Sequence, residues 1–309
     1  MIKKNILIGL LLCCSAVFVN TSYAQQESQF TQYMYNTGTI NPAYVGTRGS
    51  FEATALYRSQ WVGLDGAPRT FNLTGNSPIG ERIGVGISFT QDNITPSEES
   101  TIAADFSYTI PMNNNNLNLS FGLKGGINLL NIDYTLIDAD PDFAFENNID
   151  NRLTPIIGAG IYVFNDKWYA GLSVPSILET THYDYSTESN ASEKAHFYAI
   201  GGYVFNLSDS VKFKPSLLWR YTANAPTEID ISANFLFIEK FTVGAAYRVN
   251  ADISALVGFQ ISDTLLVGYS YDYATTNLGS YNSGSHEIFL RFKIFEDASR
   301  CKCISPRFF

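Results

Sequence analysis

Three groups of residues have side chains and spacings that could do chemistry. Asp138, Asp140 and Asp142 fall at alternate positions, with Glu146 and Asp150 following, and could offer carboxylate oxygens to calcium. A hand-type loop counted from Asp138 wants glycine at its sixth place and glutamate at its twelfth, where this chain has Phe143 and Ile149. The spacing therefore suits a solvated acidic loop as well as it suits a metal site. Cys301 and Cys303 flank Lys302 and could form a bridge or bind a metal, but two thiolates do not complete the tetrahedral set that zinc takes. His182, His196 and His286 are scattered, and the chain has no Gly-x-Ser-x-Gly elbow, no paired metal-binding histidines and no phosphate loop. A lipase or protease site assembled from distant residues would leave no such motif. The residues themselves lead to the expectation of no catalytic, cofactor-binding or metal residues, no cofactor and no enzymatic activity.

Strands must position any of these groups. From Lys240 to Phe295 the chain alternates strictly, with Phe241, Val243, Ala245, Tyr247 and Val249 on one face and Thr242, Gly244, Ala246, Arg248 and Asn250 on the other. Ile253 to Ile261, Leu265 to Tyr273 and His286 to Phe295 repeat the pattern. The same grammar predicts strands near 51–61, 69–76, 83–92, 99–110, 117–130, 153–164, 167–174, 194–206, 211–221 and 227–237. With the four runs above, that makes about fourteen, all antiparallel. Connections after even strands are mostly compact, such as Asn165–Asp166 and Ser262–Asp263, whereas those after odd strands include 131–152 and 175–193. Short turns belong in the periplasm and long loops outside. The parity predicts both termini on the periplasmic side, and it breaks at the short outer turn near Asn250.

Glycine decides which face meets lipid. Gly84, Gly86, Gly122, Gly126, Gly158, Gly160, Gly171, Gly244, Gly258 and Gly268 share their face with polar residues, while the other face carries Ile, Val, Leu and aromatic residues with almost no charge. A charge in mid-membrane costs about 2–4 kcal/mol, whereas a lumen tolerates Lys124, Arg248 and Arg291. Phe205, Trp219, Tyr221, Phe237, Tyr247 and Tyr271 sit near strand ends, where interfacial girdles form. These patterns predict an all-β fold: a transmembrane antiparallel β-barrel preceded by a plug or periplasmic arm. The alternative is a soluble sandwich or ligand-binding barrel that buries the apolar face.

The 309 residues show no compositional break that would mark a second large domain. Lys3 and Lys4, an apolar run from Ile6 to Val19, and Ser22-Tyr23-Ala24 predict a secretory signal over 1–24. Residues 25–50, rich in Gln, Asn, Thr and Tyr, read as the plug or arm, with a short helix expected over Gln29–Asn36. Residues 51–295 read as the outer-membrane barrel and 296–309 as a periplasmic tail. Loss of two lysines with the signal moves the formal charge from −9 to −11, which argues against nucleic acid as a partner. In the loop Pro175–Glu193, His182, Tyr183, Asp184, Tyr185 and Glu188 suit protein recognition, or an ordinary variable loop.

Three stretches resemble the PorP/SprF membrane proteins of the bacterial type IX secretion system. They are Gln29-Phe30-Thr31-Gln32-Tyr33-Met34-Tyr35-Asn36 with Asn41-Pro42-Ala43-Tyr44 and Gly46; Tyr57-Arg58-Ser59-Gln60-Trp61 with Gly66-Ala67-Pro68 and Thr70; and Arg300-Cys301-Lys302-Cys303 with Ser305, Pro306, Arg307 and Phe309. The resemblance implies an integral, multi-pass protein of the cell outer membrane that assists export or surface display of large secreted proteins such as gliding adhesins. Implied partners are adhesin-type cargo, periplasmic and peptidoglycan-linked secretion components, and outer-membrane lipid. The family brings no catalytic residues. A second reading is an outer-membrane channel or transporter for small or hydrophobic solutes.

Overall fold

The computed structural model describes residues 28–112, 117–136, 148–178, 180–181 and 192–294. Its strands are β1 (Phe51–Ser59), β2 (Arg69–Ile79), β3 (Ile83–Ile94), β4 (Ser97–Met112), β5 (Leu117–Ile132), β6 (Ile149–Phe164) and β7 (Trp168–Val174). A two-residue pair, β8 (Thr180–Thr181) and β9 (Ser192–Glu193), lies in the loop that follows. Then come β10 (His196–Tyr203), β11 (Phe205–Ser208), β12 (Val211–Thr222), β13 (Glu228–Phe237), β14 (Phe241–Arg248), β15 (Asp252–Ser262), β16 (Leu265–Ala274) and β17 (Ser285–Ile294). β10 and β11 form one stave interrupted at Val204, and both pair with β12. Each stave pairs antiparallel with its sequence neighbours, and β1 joins β17 from Phe51↔Ile294 to Ser59↔His286, which closes a barrel of fourteen staves.

The two faces are inverted relative to a soluble protein. Arg58, Arg291, Lys214 and Glu287 are at most 1% exposed, while Leu123, Ile87 and Leu172 are each 62% exposed. Charges collect in the lumen and oily side chains form the outer surface, because hydrocarbon rewards apolar contact and penalises unpaired charge. No described helix is long and apolar enough to cross a membrane. Outward-facing Phe205, Phe213 and Phe235 stack across neighbouring strands, with ring centroids 4.7 Å apart for Phe213 and Phe235, and Phe237 stacks on Phe235 along β13. They form part of an aromatic girdle at the short-turn end.

Strand ends match the sequence pattern closely, with two differences in the connections. The outer turn between β3 and β4 is only Thr95–Pro96, a second break in the loop parity beside Val249–Ala251. The described chain also begins on the long-loop side, because Ser28, Gln29 and Phe30 line the same space as Glu228, Arg220 and His196 at the outer strand ends. The N-terminal segment thus runs outward from Phe51 through the lumen, and its described end does not lie at the periplasmic side. β17 does end at the short-turn side, as the parity requires.

Candidate functional site

The interior of the barrel is filled by residues 28–50. Tyr33, Met34, Tyr35, Ile40, Ala43, Tyr44 and Val45 are all 8% exposed or less. The segment is not the single helix expected over Gln29–Asn36. A 3-10 turn spans Tyr33–Tyr35, α1 spans Thr37–Ile40, and a second 3-10 turn spans Pro42–Tyr44. Lumen groups hold the backbone just before Tyr33, and the first turn begins only after them. Glu287 accepts the N–H of Thr31 and of Gln32, each at 2.9 Å.

Around that carboxylate, Arg58 Nη1 lies 2.9 Å from Thr31 Oγ1, 2.6 Å from Asp272 Oδ2 and 3.1 Å from Glu287 Oε2. Thr31 Oγ1 itself donates to Asp272 at 2.7 Å. β1, β16 and β17 supply these three charged groups, each on the lumen-facing parity of its strand. Ion pairing and charge-assisted hydrogen bonds offset the cost of burying them. Farther in, Arg291 donates to the carbonyl of Tyr35, lies 3.3 Å from Glu52 and packs 5.0 Å from the Tyr35 ring centroid, which stacks on Phe289. Asn36 donates to Asn72 at 2.6 Å and accepts from Thr74 at 3.2 Å.

The opposite wall holds the segment by shape. Asn41 donates to the carbonyls of Ile161 and Leu172 and accepts from the N–H of Ala43. Ser107 donates to the Val45 carbonyl at 2.8 Å, and Ser173 donates to the Ile40 carbonyl at 2.9 Å. Here the lining glycines are required by close approach. A Cβ on Gly122 would lie 2.1 Å from Ala43 N, on Gly84 2.1 Å from Val45 O, and on Gly160 2.2 Å from Asn41 Oδ1. Those distances exclude any side chain while the segment stays in place.

The lining is also sorted by charge along the barrel axis. Toward the short-turn end Arg48, Lys214, Arg291 and Lys293 gather around Glu52. Toward the long-loop end Asp92, Glu99, Glu228, Asp230, Asp252, Asp272 and Glu287 outnumber Arg58, Arg220 and Arg248. Between them Lys124 pairs with Asp105 at 2.9 Å; at the long-loop end Arg248 grips Asp230 through two nitrogens at 2.7 and 3.1 Å. A cavity of about 180 Å³ lies on the outer side of the segment, bounded by Phe30 and Ile40 below and by Asp92, Glu99 and Arg220 at the walls.

The residues singled out from sequence fare unequally. The first family-like stretch is the plug itself, and Arg58 of the second is the cation that holds it. Lys124, Arg248 and Arg291 all lie in the lumen. His196 faces the lumen, whereas His286 faces outward with Nδ1 2.7 Å from Tyr269 Oη, so the two are not brought together. Asp150 is exposed at the tip of β6. Asp138, Asp140, Asp142, Glu146, His182, Tyr183, Asp184, Tyr185, Glu188, Cys301, Cys303, the tail motif and residues 1–24 lie outside the described residues. Among the described residues no group of three or more His, Cys, Asp or Glu side chains is placed to hold a metal. Sequence reading did not single out Glu287 and Asp272. Their signal was available, since both are carboxylates inside a strand, two residues from its outer end, on the glycine-bearing face.

An inverted closed sheet with an occupied, charge-lined interior defines a plugged integral barrel of the outer membrane. The chain belongs to the PorP/SprF family of type IX secretion system membrane proteins, whose family model matches residues 22–292. No curated protein matches it. Among solved structures it is similar to the outer membrane protein Omp33 of Acinetobacter baumannii, at TM-score 0.50 and 10% identity over 81% of this chain and 100% of that one. A mutant of the Rh. blastica porin aligns at TM-score 0.33 and 12% identity over 79% of this chain and 99% of that one. At such identities the likeness to Omp33 is one of fold alone.

Proposed function

We propose that the protein assists the export or cell-surface display of large secreted proteins, such as gliding adhesins, as a non-enzymatic outer-membrane component of type IX secretion. In this reading residues 1–24 direct the chain to the envelope, the short turns meet periplasmic and peptidoglycan-linked components, and the long loops meet cargo. The observation that carries it is the filled lumen. A barrel of this strand number lies between small filled barrels and open porins, and residues 28–50 occupy its interior through hydrogen bonds to at least five strands. Such a barrel is suited to binding and positioning a partner rather than to passive diffusion, which is why the solute-channel reading is the weaker of the two.

The test is a chromosomal deletion complemented with the wild-type gene. Surface proteins of intact cells are labelled and quantified, and the outer-membrane protein is captured after mild crosslinking. Loss of one or more large surface proteins, with one of them crosslinked to the barrel, supports the reading. Unchanged surface proteins together with lost uptake of a solute would transfer the function to transport.

A further inference from the structure

The two ends of the plug are held by different physics. We propose that the plug is a hinged strap: its outer limb, residues 28–32, unlatches from Arg58, Asp272 and Glu287 while its inner limb, residues 41–46, remains in the glycine cradle. This goes beyond the secretion role and does not depend on it.

Three observations support the asymmetry. First, the latch sets two carboxylates against one guanidinium, all 1% exposed or less, and much of their bonding capacity goes unused. Arg58 Nε, Asp272 Oδ1, Gln32 Nε2 and the hydroxyl of Ser270, the cross-strand neighbour of Glu287, find no hydrogen-bond partner among the described residues. Buried polar atoms left this way penalise the latched state, and release to water would satisfy them. Second, the inner limb has no such deficit. The Asn41 side chain, the Ala43 and Gly46 N–H groups and the Ile40 and Val45 carbonyls are all bonded. Gly84 and Gly122 also admit its backbone, and Gly160 the Asn41 side chain, at distances that leave no room for a Cβ. Third, the 180 Å³ cavity adjoins the outer limb at Ser28, Gln29 and Phe30, which gives that limb space to move into. The stretch Tyr33–Asn36 marks the pivot between the limbs, with the Tyr35 carbonyl held by Arg291, the Tyr35 ring stacked on Phe289, and Asn36 bonded to Asn72 and Thr74.

Single cysteines in an otherwise full-length protein carrying Ser at 301 and 303 read the two limbs separately. Gln32→Cys reports the outer limb through a side chain that makes no described hydrogen bond and leaves the backbone latch intact; Val45→Cys reports the inner limb. Both sites are buried, at 1% and 2% exposure. Labelling by a membrane-impermeant maleimide is compared with and without Glu287→Gln in barrels shown to be folded by heat-modifiable gel mobility. The expected result is at least a tenfold faster reaction at position 32 with position 45 unchanged. Equal acceleration at both positions would mean that the plug leaves as one body, and no acceleration at either would mean that the latch does not hold the limb; each outcome overturns the proposal. If Glu287→Gln does not yield folded barrel, Arg58→Lys, which keeps the charge but loses the forked geometry, is read by the same criteria.

Discussion

Single side chains in this lumen act through distance and pairing, and each makes a measurable claim. Gly122 and Gly125 stand three residues apart on β5, yet a Cβ on the first meets the plug backbone at 2.1 Å and one on the second meets nothing within 4 Å. Gly122→Ala is expected to cost about 1–3 kcal/mol as overpacking or to push the plug out of place. Gly125→Ala should be neutral or mildly stabilising, because glycine weakens strand interiors; urea unfolding in detergent compares them. Arg291 is fully buried against Glu52, Tyr35 and Phe289. Arg291→Ala leaves Glu52 paired with Arg48 but strips the Tyr35 carbonyl of its donor, and a loss of about 1–3 kcal/mol is expected by the same measurement. On the opposite face Leu123→Arg places a cation in hydrocarbon near mid-strand and should destabilise insertion into vesicles by about 2–4 kcal/mol.

Among the elements, the strands were written plainly in the chain and the plug was not. Every stave shows a two-residue period because one face meets lipid and the other a polar interior, so β12, predicted over 211–221, is found at Val211–Thr222. The plug has no period to read. Its turns at Tyr33–Tyr35 and Pro42–Tyr44 are set by lumen partners far away in sequence, with Glu287 lying 256 positions beyond Thr31. Composition identified 25–50 as a separate segment but could not tell that its chain climbs toward the outer end. Removing residues 28–50 should raise single-channel conductance in planar bilayers, since the space they fill is otherwise lined by polar and charged groups. An unchanged conductance would mean that other parts of the chain block the path.

At the scale of the whole molecule, the barrel carries opposite fixed charge at its two ends, basic around Glu52 and acidic around Asp272. Fixed charges of opposite sign placed in series along a narrow path bias ion entry differently from each side. The variant lacking residues 28–50 is therefore expected to pass unequal currents at equal voltages of opposite sign, an asymmetry that should fade as salt shortens the screening length. A linear current–voltage curve at low salt would contradict that distribution. Alternation revealed which face was polar, but not the polarity along the axis, which depends on how far each charge lies from its strand end. The first strand and the last meet along nine residue pairs, and the latch straddles that join: Arg58 arrives on one side, Asp272 and Glu287 on the other. The chain therefore cannot assemble the grip on Thr31 until its final hairpin has found its opening strand. A latched Thr31 is therefore a molecular seal on the seam: its three charged holders stand together only where the opening strand has met the closing hairpin.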